Sequence, residues 1–400
     1  MLIFRWEETS VTEEQELRPI HKMLSDRLRG EHMPFLQVLL GPRQVGKSTI
    51  VNQIAKSWDG PVVAETADGV STKDHEWLEF HWQRAREQSG CVLLAIDEIQ
   101  KVQGWSETVK VLFEKDRLNP NLRIVLTGSA SLTLQKGLTE SLAGRYELLP
   151  CPHWGFDECK SVFKWDLLTY LKFGGYPAPA KLISDASRWR AFIRDSIIEP
   201  VIGRDLLSAV SIQKPALLRQ LFELTMNYPA QEISFQKILG QLQDKGNTTT
   251  LKSYLEILEA AFLIKMLQKY STNPLQKKMS SPKILPLAPA LIHAYTNASL
   301  VDTDSEWRGR VFETAVGIHL SKLNTEIFYW REGQYEVDFV LNIDRILVVI
   351  EVKSGRRKSP KGLIKFKEKF PNARTVLMDW EKAQKWLSLK PSFEELLKLQ

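Results

Sequence analysis

The chain has 400 residues, of which 43% are hydrophobic and 26% are charged. At roughly 150 residues per domain, this length predicts two or three domains. The composition excludes collagen-like, coiled-coil and wholly disordered chains. Three scattered cysteines are too few for a disulfide framework or a zinc knuckle. A net charge of +6 gives a mild indication of anionic partners.

Signals for secretion or membrane insertion are not evident in the sequence. Residues 1–10 include Arg5, Glu7 and Glu8 and lack the apolar stretch of a signal peptide. No uncharged apolar stretch approaches the ~20 residues that span a bilayer. We therefore expect a soluble, cytoplasmic protein with no membrane partner.

The first 150 residues alternate between short apolar runs and segments with helical spacing. Continuous apolar runs of this length are typical of strands buried on both faces of a parallel sheet. Cys91 opens the second run, so we expect it in the core. Residues 1–150 are therefore predicted to form an α/β domain. The apolar runs are 35–40, 91–96 and 123–126, and the helix-like segments include 74–89 and 105–115.

The pattern changes twice after residue 150. Long amphipathic stretches such as 217–226 and 251–264 predict a mainly helical region over 151–290. Beyond it, one helix-like segment is followed by three strand-like runs, which predicts a second α/β domain over 291–400. These segments are 311–323, 327–330, 336–341 and 346–352.

A phosphate-binding motif directly follows the first predicted strand. Residues 41–48 read G-P-R-Q-V-G-K-S and match G-x-x-x-x-G-K-[ST], with a helix-like segment behind them. Glycines let the backbone wrap a polyphosphate, and the loop and helix N–H groups point at the anion. We expect ATP here, with Lys47 at the β and γ phosphates, Ser48 on Mg²⁺ and Thr49 near the α phosphate. The predicted nucleotide-binding residues are Gly41, Pro42, Arg43, Gln44, Val45, Gly46, Lys47, Ser48 and Thr49.

Acidic and hydroxyl side chains follow the next two predicted strands. Asp97 and Glu98 end the second apolar run. Asp97 is predicted to join Ser48 in holding Mg²⁺, and Glu98 to polarise the attacking water. Thr127 or Ser129, after the third run, could orient that water or sense the γ phosphate, although Thr-Gly-Ser also forms ordinary turns.

These strings resemble the AAA+ ATPases of the AAA_14 group, which carry a C-terminal DUF4143 region. The resemblance rests on G-P-R-Q-V-G-K-S, L-L-A-I-D-E-I-Q and I-V-L-T-G-S-A-S, and extends along nearly the whole chain. It implies a P-loop ATPase that forms a ring, with a hexamer expected. Further matching segments are 142–145, 154–158, 173–177, 204–205, 254–264 and 336–339.

The resemblance also suggests a role for Arg145. It implies an arginine finger that reaches the γ phosphate of a neighbouring subunit. The alternative is a surface arginine that caps a helix end. Residues 285–291 depart from the family, which usually has an acidic residue and a glycine before the leucine there.

The helical region contains a candidate DNA-binding module. The polar turn at 247–250 precedes an amphipathic stretch, and threonines in such a turn can cap a helix. The resemblance points to a winged helix over Pro215–Lys283, which could place its second helix in a DNA groove. Glu256 and Glu259 on that helix speak against DNA, and the alternative is a module that only packs domains together. The candidate phosphate contacts are Lys252, Lys265, Lys269, Lys277 and Lys278.

Carboxylates and a lysine recur in the last predicted domain. Residues two apart in a strand face the same side, so Glu351 and Lys353 point together, and a hairpin could bring Asp338 opposite them. Two carboxylates could hold Mg²⁺ while the lysine positions or activates water for phosphodiester cleavage. This set resembles the PD-(D/E)xK nuclease fold, with Glu313 as an extra acid from the first helix. A basic run over 353–369 could bind a phosphate backbone or form a solvated helix face.

Three hypotheses about function follow. The first is an ATP-hydrolysing AAA+ motor that binds and remodels nucleic acid, most readily DNA, by translocation or by junction or strand remodelling, with or without metal-dependent cleavage. The second is a nucleotide-dependent switch or scaffold that acts on protein partners and carries an inactive nuclease-like domain. The third is a nuclease whose ATPase gates access.

Overall fold

The computed structural model describes most of the chain. The described residues are 17–31, 35–68, 74–129, 137–207, 212–242, 247–273, 280–343, 345–355 and 360–399. Four features of the sequence analysis lie outside the described residues: the segment 1–10, Lys277, Lys278 and the part of the basic run at 356–358.

A five-stranded sheet forms the first part of the fold, and every adjacent pair of its strands is parallel. This sheet confirms the predicted parallel α/β architecture. Its order is β2-β3-β4-β1-β5. The strands are β1 (Leu36–Gly41), β2 (Val62–Thr66), β3 (Val92–Asp97), β4 (Leu122–Ser129) and β5 (Tyr146–Pro150).

Helices cover both faces of this sheet. On β1, Leu39 packs against the first two helices, whereas its neighbour Val38 packs on the other side against the next two. Burial on both faces explains the apolar runs of β1, β3 and β4. Cys91 is exposed, contrary to expectation, because β3 begins one residue later. The helices are α1 (Pro19–Arg29), α2 (Lys47–Lys56), α3 (His75–Arg86), a 3₁₀ turn (Ile99–Lys101) and α4 (Trp105–Asp116).

The middle of the chain is mainly helical, as predicted, and includes two π-helices. Asn247 caps α10 through its side-chain oxygen, which accepts from the Thr250 N–H at 2.7 Å. Its elements are α5 (Phe156–Phe163), α6 (Leu167–Phe173), a 3₁₀ turn (Ala178–Leu182), α7 (Ala186–Ala191), π-helices Phe192–Ile198 and Val201–Leu206, α8 (Pro215–Met226), β6 (Gln231–Glu232), α9 (Phe235–Gln241), α10 (Thr248–Ala260), β7 (Ile264–Lys269) and β8 (Lys283–Pro286).

A second, seven-stranded sheet has the order β12-β11-β10-β9-β7-β8-β6. Because β7 pairs with β9, this sheet crosses the boundary predicted at residue 290. The three-domain division stays a prediction. The remaining elements are α11 (Pro289–Tyr295), α12 (Leu300–Thr303), α13 (Ser305–Ser321), β9 (Ile327–Glu332), β10 (Tyr335–Ile343), β11 (Ile346–Lys353), α14 (Lys361–Lys369), β12 (Arg374–Asp379), α15 (Trp380–Leu387) and α16 (Phe393–Leu397).

The helices were also compared with the length and hydrophobicity of a bilayer-spanning segment. Within the described ranges, none of them is both long enough and apolar enough to cross a bilayer.

A buried ion network ties the two halves of the molecule together. The Arg18 guanidinium lies 2.6 Å from Glu158, and Lys322 of the C-terminal part lies 3.4 Å from the same carboxylate. The Gly155 N–H also donates to Glu158, at 2.9 Å. Burial acts to raise the pKa of Glu158, but Lys322 and Arg18 together lower it to about 2. The charged carboxylate is therefore the form that the folded protein stabilises.

We predict that Glu158→Gln lowers the free energy of unfolding by about 3 kcal/mol at pH 7, from 1.36 kcal/mol per pKa unit. The folded-state pKa lies below the unfolded value, so this stabilisation is present above about pH 4.5 and is lost as the pH falls towards 2. Urea unfolding of both chains between pH 7 and pH 3 measures the difference. The exposed Glu79→Gln is the control. A difference that stays constant over this range would contradict the assigned role of Glu158.

Candidate functional site

The predicted phosphate loop connects β1 to α2 at the carboxyl end of the parallel sheet. Gly46 caps α2 with a left-handed backbone, φ +96°, and a Cβ placed there would meet no atom within 4 Å. Gly41, by contrast, lies so close to the Cys151 carbonyl that a Cβ would come within 1.9 Å of its oxygen. The two glycines of the motif therefore serve different needs: Gly46 supplies the left-handed backbone at the start of α2, and Gly41 permits close strand packing.

The loop lysine lies inside its own loop. The Lys47 ammonium donates to the Gly41 carbonyl at 3.0 Å and to the Pro42 carbonyl at 2.7 Å. Burial lowers the pKa of Lys47, while Glu98 acts to raise it. Lys47 thus sits at the helix entrance, where its charge adds to the N–H groups of α2 in attracting an anion.

Asp97, at the end of β3, contacts both the first turn of α2 and the neighbouring strand β4. One carboxylate oxygen accepts from the Ser48 hydroxyl at 2.7 Å. The other accepts from the Thr127 hydroxyl and from the Glu98 N–H. The hydroxyl and carboxylate oxygens predicted to bind Mg²⁺ therefore lie in direct contact, and oxygen atoms are the donors that this ion prefers. The residues present fit a nucleotide and its Mg²⁺.

Glu98 turns away from the strand axis through a left-handed backbone, φ +53°. Its carboxylate accepts from the Ser129 hydroxyl at 3.1 Å and from the Gln100 amide at 2.5 Å. The same amide donates to Ser129 at 3.0 Å. Gln100 was missed by the sequence analysis, and its place two residues after Glu98 was the available signal.

Residues far along the chain also hold the loop. The Val45 carbonyl accepts from Arg18 at 2.8 Å and from the Trp154 indole at 3.0 Å. Arg43 forms a two-pronged ion pair with Asp205. Arg18 was missed by the sequence analysis; Trp154 and Asp205 stood in matched segments to which no role was given.

The loop also contacts the first π-helix, because the Gln44 amide donates to the Ser196 carbonyl at 3.2 Å. Both π-helices therefore contact the loop, one through Ser196 and the other through Asp205.

Arg145 lies at the opposite edge of the sheet from the loop. Its carbonyl accepts from the N–H of Leu36, the first residue of β1. Arg145 lies beside Leu36, and the five residue steps from Leu36 to Gly41 place its own loop about 17 Å away, at roughly 3.3 Å per step. Its guanidinium pairs with Glu114 at 2.5 Å, with 28% of the side chain exposed. Arg145 is therefore placed away from the loop of its own subunit.

The four predicted nuclease residues come together on the second sheet. Lys353 pairs with Glu351 at 2.6 Å, and the Asp338 carboxylate accepts from the Val352 N–H at 2.7 Å. Burial acts to lower the pKa of Lys353. Glu351 and, more weakly, Asp338 and Glu313 outweigh this effect and raise the pKa above its ordinary value. Their nuclease role stays a prediction.

A second lysine, missed by the sequence analysis, lies inside this carboxylate set. Lys283 of β8 is 1% exposed, and its ammonium lies 2.5 Å from Glu313, 3.4 Å from Glu336 and 3.5 Å from Asp338. Burial acts to lower the pKa of Lys283, but the three carboxylates raise it above its ordinary value. The only cue in the sequence was a lysine within the apolar strand.

We predict that Gly46→Ala weakens ATP binding about tenfold, a loss of about 1.4 kcal/mol. A left-handed backbone costs an L-residue about 1–2 kcal/mol, and relief of that strain would turn the N–H groups away from the phosphates. Gly90→Ala is the matched control, with φ +89° and equally open space, but away from the loop. Titration with a fluorescent ATP analogue and Mg²⁺ measures the affinity. Equal affinities of the two variants would contradict the cradle role of Gly46.

Three family matches cover most of the chain. Residues 34–160 match the AAA_14 family, described as an AAA domain. Residues 164–302 match DUF8612 and residues 308–390 match DUF4143, both described as domains of unknown function.

Similar proteins were found among curated sequences and solved structures. The uncharacterized proteins Rv2008c of Mycobacterium tuberculosis and Mb2031c of Mycobacterium bovis are each 27% identical over 339 residues, which cover 81% of this chain and 71% of theirs. The Walker-type ATPase PABY2304 of Pyrococcus abyssi is 17% identical, with a TM-score of 0.49, and the match covers 70% of this chain and 95% of that one. The AAA_14 match and the loop geometry together support an AAA-type P-loop ATPase domain in this chain.

Proposed function

We propose that the protein is an ATP-hydrolysing AAA+ motor that binds and remodels DNA. The observation that carries the proposal is the contact of Asp97 with both Ser48 and Thr127 at the start of α2. Bound Mg²⁺ would neutralise negative charge that develops on the phosphates during transfer. Ser48 and Asp97 would hold this ion, and Lys47 would attract the β and γ phosphates.

Glu98 is the residue proposed to orient the attacking water. Its carboxylate is held by Ser129 and Gln100, so its position is fixed before a nucleotide binds. Preorganised polar groups of this kind need little rearrangement when the reaction begins. Ser129 and Gln100 therefore act as positioning residues in this proposal.

DNA binding is proposed for the region between α8 and β8. Its order of three helices, with β7 and β6 pairing antiparallel to β8, is the arrangement expected of a winged helix. The exposed side of α10 carries Lys252, which could face a phosphate. On the second sheet, α14 presents further exposed lysines, Lys361 and Lys367 among them, that could contact the backbone.

One observation favours the alternative of a nucleotide-dependent switch or scaffold that acts on protein partners. On α10, Lys252 lies 4.0 Å from Glu256, so the exposed face of this helix carries charge of both signs. Such a face suits a protein partner as well as DNA. The response of ATP turnover to nucleic acid separates the two functions.

We predict that duplex, forked or four-way DNA raises the rate of ATP turnover, and that Lys47→Ala abolishes both basal and stimulated turnover. The substitution removes the charge at the β and γ phosphates while leaving the strands in place. Lys56→Ala, an exposed lysine at the end of the same helix, is the control and should keep both rates. Full stimulated turnover in Lys47→Ala would contradict the motor. If none of the nucleic acids tested changes the rate of ATP turnover by the wild-type chain, the switch is favoured.

We further predict that Arg145 acts on the nucleotide of a neighbouring subunit in a ring, which we expect to be a hexamer. Arg145→Ala should lower kcat on the order of 10³-fold, the scale of an arginine finger. Mixing this variant with Lys47→Ala subunits should restore part of the turnover, because some interfaces then pair an intact loop with an intact arginine. Arg117→Ala, another exposed arginine, is the control. Wild-type turnover in Arg145→Ala, or no recovery on mixing, would contradict the assignment.

A further inference from the structure

The carboxylates of the second sheet already enclose a cation that belongs to the protein itself. The ammonium of Lys283 faces Glu313 from α13 and two acids from β10, Glu336 and Asp338. The lysine is fully buried, and its ammonium also lies 5.6 Å from the ring centre of Phe339. Carboxylates this close together repel one another unless a cation lies between them, and Lys283 supplies that cation from β8.

A divalent ion does not fit this cluster while Lys283 is present. Mg²⁺ binds carboxylate oxygens at about 2.0–2.1 Å. The Lys283 nitrogen already lies 2.5 Å from the Glu313 oxygen, so an ion bound to that oxygen would lie within about 4.6 Å of the ammonium. Two cations held this close together repel each other.

Each of the other acids of the set has at least one oxygen that is already engaged. The second oxygen of Asp338 accepts from the Val352 N–H, and one oxygen of Glu351 pairs with Lys353. The other oxygen of Glu351 is buried without a hydrogen-bond partner. Across the described part of the chain, no group of three or more acidic, histidine or cysteine side chains is arranged to hold a metal.

We propose that Lys283 occupies the cation position of the Glu313, Glu336 and Asp338 cluster, so that this centre is metal-free and does not cleave phosphodiester bonds. The lysine also has a structural consequence. It comes from β8, which belongs to the module proposed to bind DNA, and it fastens that module to α13 and β10 of the second sheet. The cluster thus connects β8 with α13 and β10, at the position where a nuclease of the resembled type would bind its metal.

Iron-directed backbone cleavage tests this proposal on the full chain. Fe²⁺ bound in place of Mg²⁺ reduces added hydrogen peroxide to hydroxide and a hydroxyl radical and is itself oxidised to Fe³⁺, which added ascorbate reduces again. The radicals cut the backbone next to the ligands of the ion, and the fragments show where the ion is bound. The wild-type chain should give no cuts near residues 313, 338 and 351. Lys283→Met, which keeps the volume and removes the charge, should give cuts there that Mn²⁺ suppresses. Its affinity for Mn²⁺ at this site should rise about tenfold or more, the scale on which neighbouring groups alter metal affinity.

Two control variants accompany the measurement. Lys283→Arg keeps a cation in the cluster and should behave like the wild type. Lys385→Met, an exposed lysine of α15, should also leave the pattern unchanged. Cuts at the cluster in the wild-type chain would overturn the proposal, and so would a folded Lys283→Met chain that gains no Mn²⁺. If Lys283→Met does not fold, the proposal is tested on the wild-type chain by its cleavage pattern and by Mg²⁺-dependent nicking of supercoiled DNA. Nicking by the wild-type chain that is lost in Glu351→Gln would overturn the proposal.

This inference does not require the proposed motor to be correct. The cleavage experiment contains no nucleotide, and cuts near residues 48 and 97 would be distinguished from cuts at the second sheet by fragment length. A chain that hydrolyses no ATP could still carry the lysine-occupied cluster. Equally, a chain that hydrolyses ATP could bind a metal at the cluster.

Discussion

The parallel pairing of β1, β3 and β4 is the constraint on which the rest of the candidate site depends. Parallel strands bring their carboxyl ends to one edge of a sheet, and the chemistry of this protein is placed just beyond those ends. Lys47 and Ser48 follow β1, Asp97 ends β3, and Thr127 lies near the end of β4. Their side chains are separated by dozens of residues in sequence, yet Asp97 contacts both hydroxyls directly.

The phosphate loop is also the point at which the rest of the chain contacts the sheet. Arg43 and Gln44 reach the two π-helices, and the Val45 carbonyl accepts from Arg18 and Trp154. Through the network of Arg18, this same loop is connected to the C-terminal part of the molecule. A change in loop conformation would therefore act on several elements at once.

Much of the site could be predicted from the sequence because its signals are local. An apolar run followed by Gly41–Ser48 or by Asp97 and Glu98 identifies both a strand and its chemistry. Lys283 could not be found in this way, because it reaches the carboxylates only through the pairing of β7 with β9 and of β7 with β8. Gln100 was missed for a related reason. Its contact with Glu98 depends on the 3₁₀ turn Ile99–Lys101, which could not be predicted from the sequence.

A structure determined with a non-hydrolysable ATP analogue and Mg²⁺ tests the central claim most directly. The account predicts a triphosphate against the N–H groups between Gly41 and Thr49, with the metal held by Ser48 and Asp97. A loop that stays empty at saturating analogue, or a nucleotide bound elsewhere on the molecule, would contradict it.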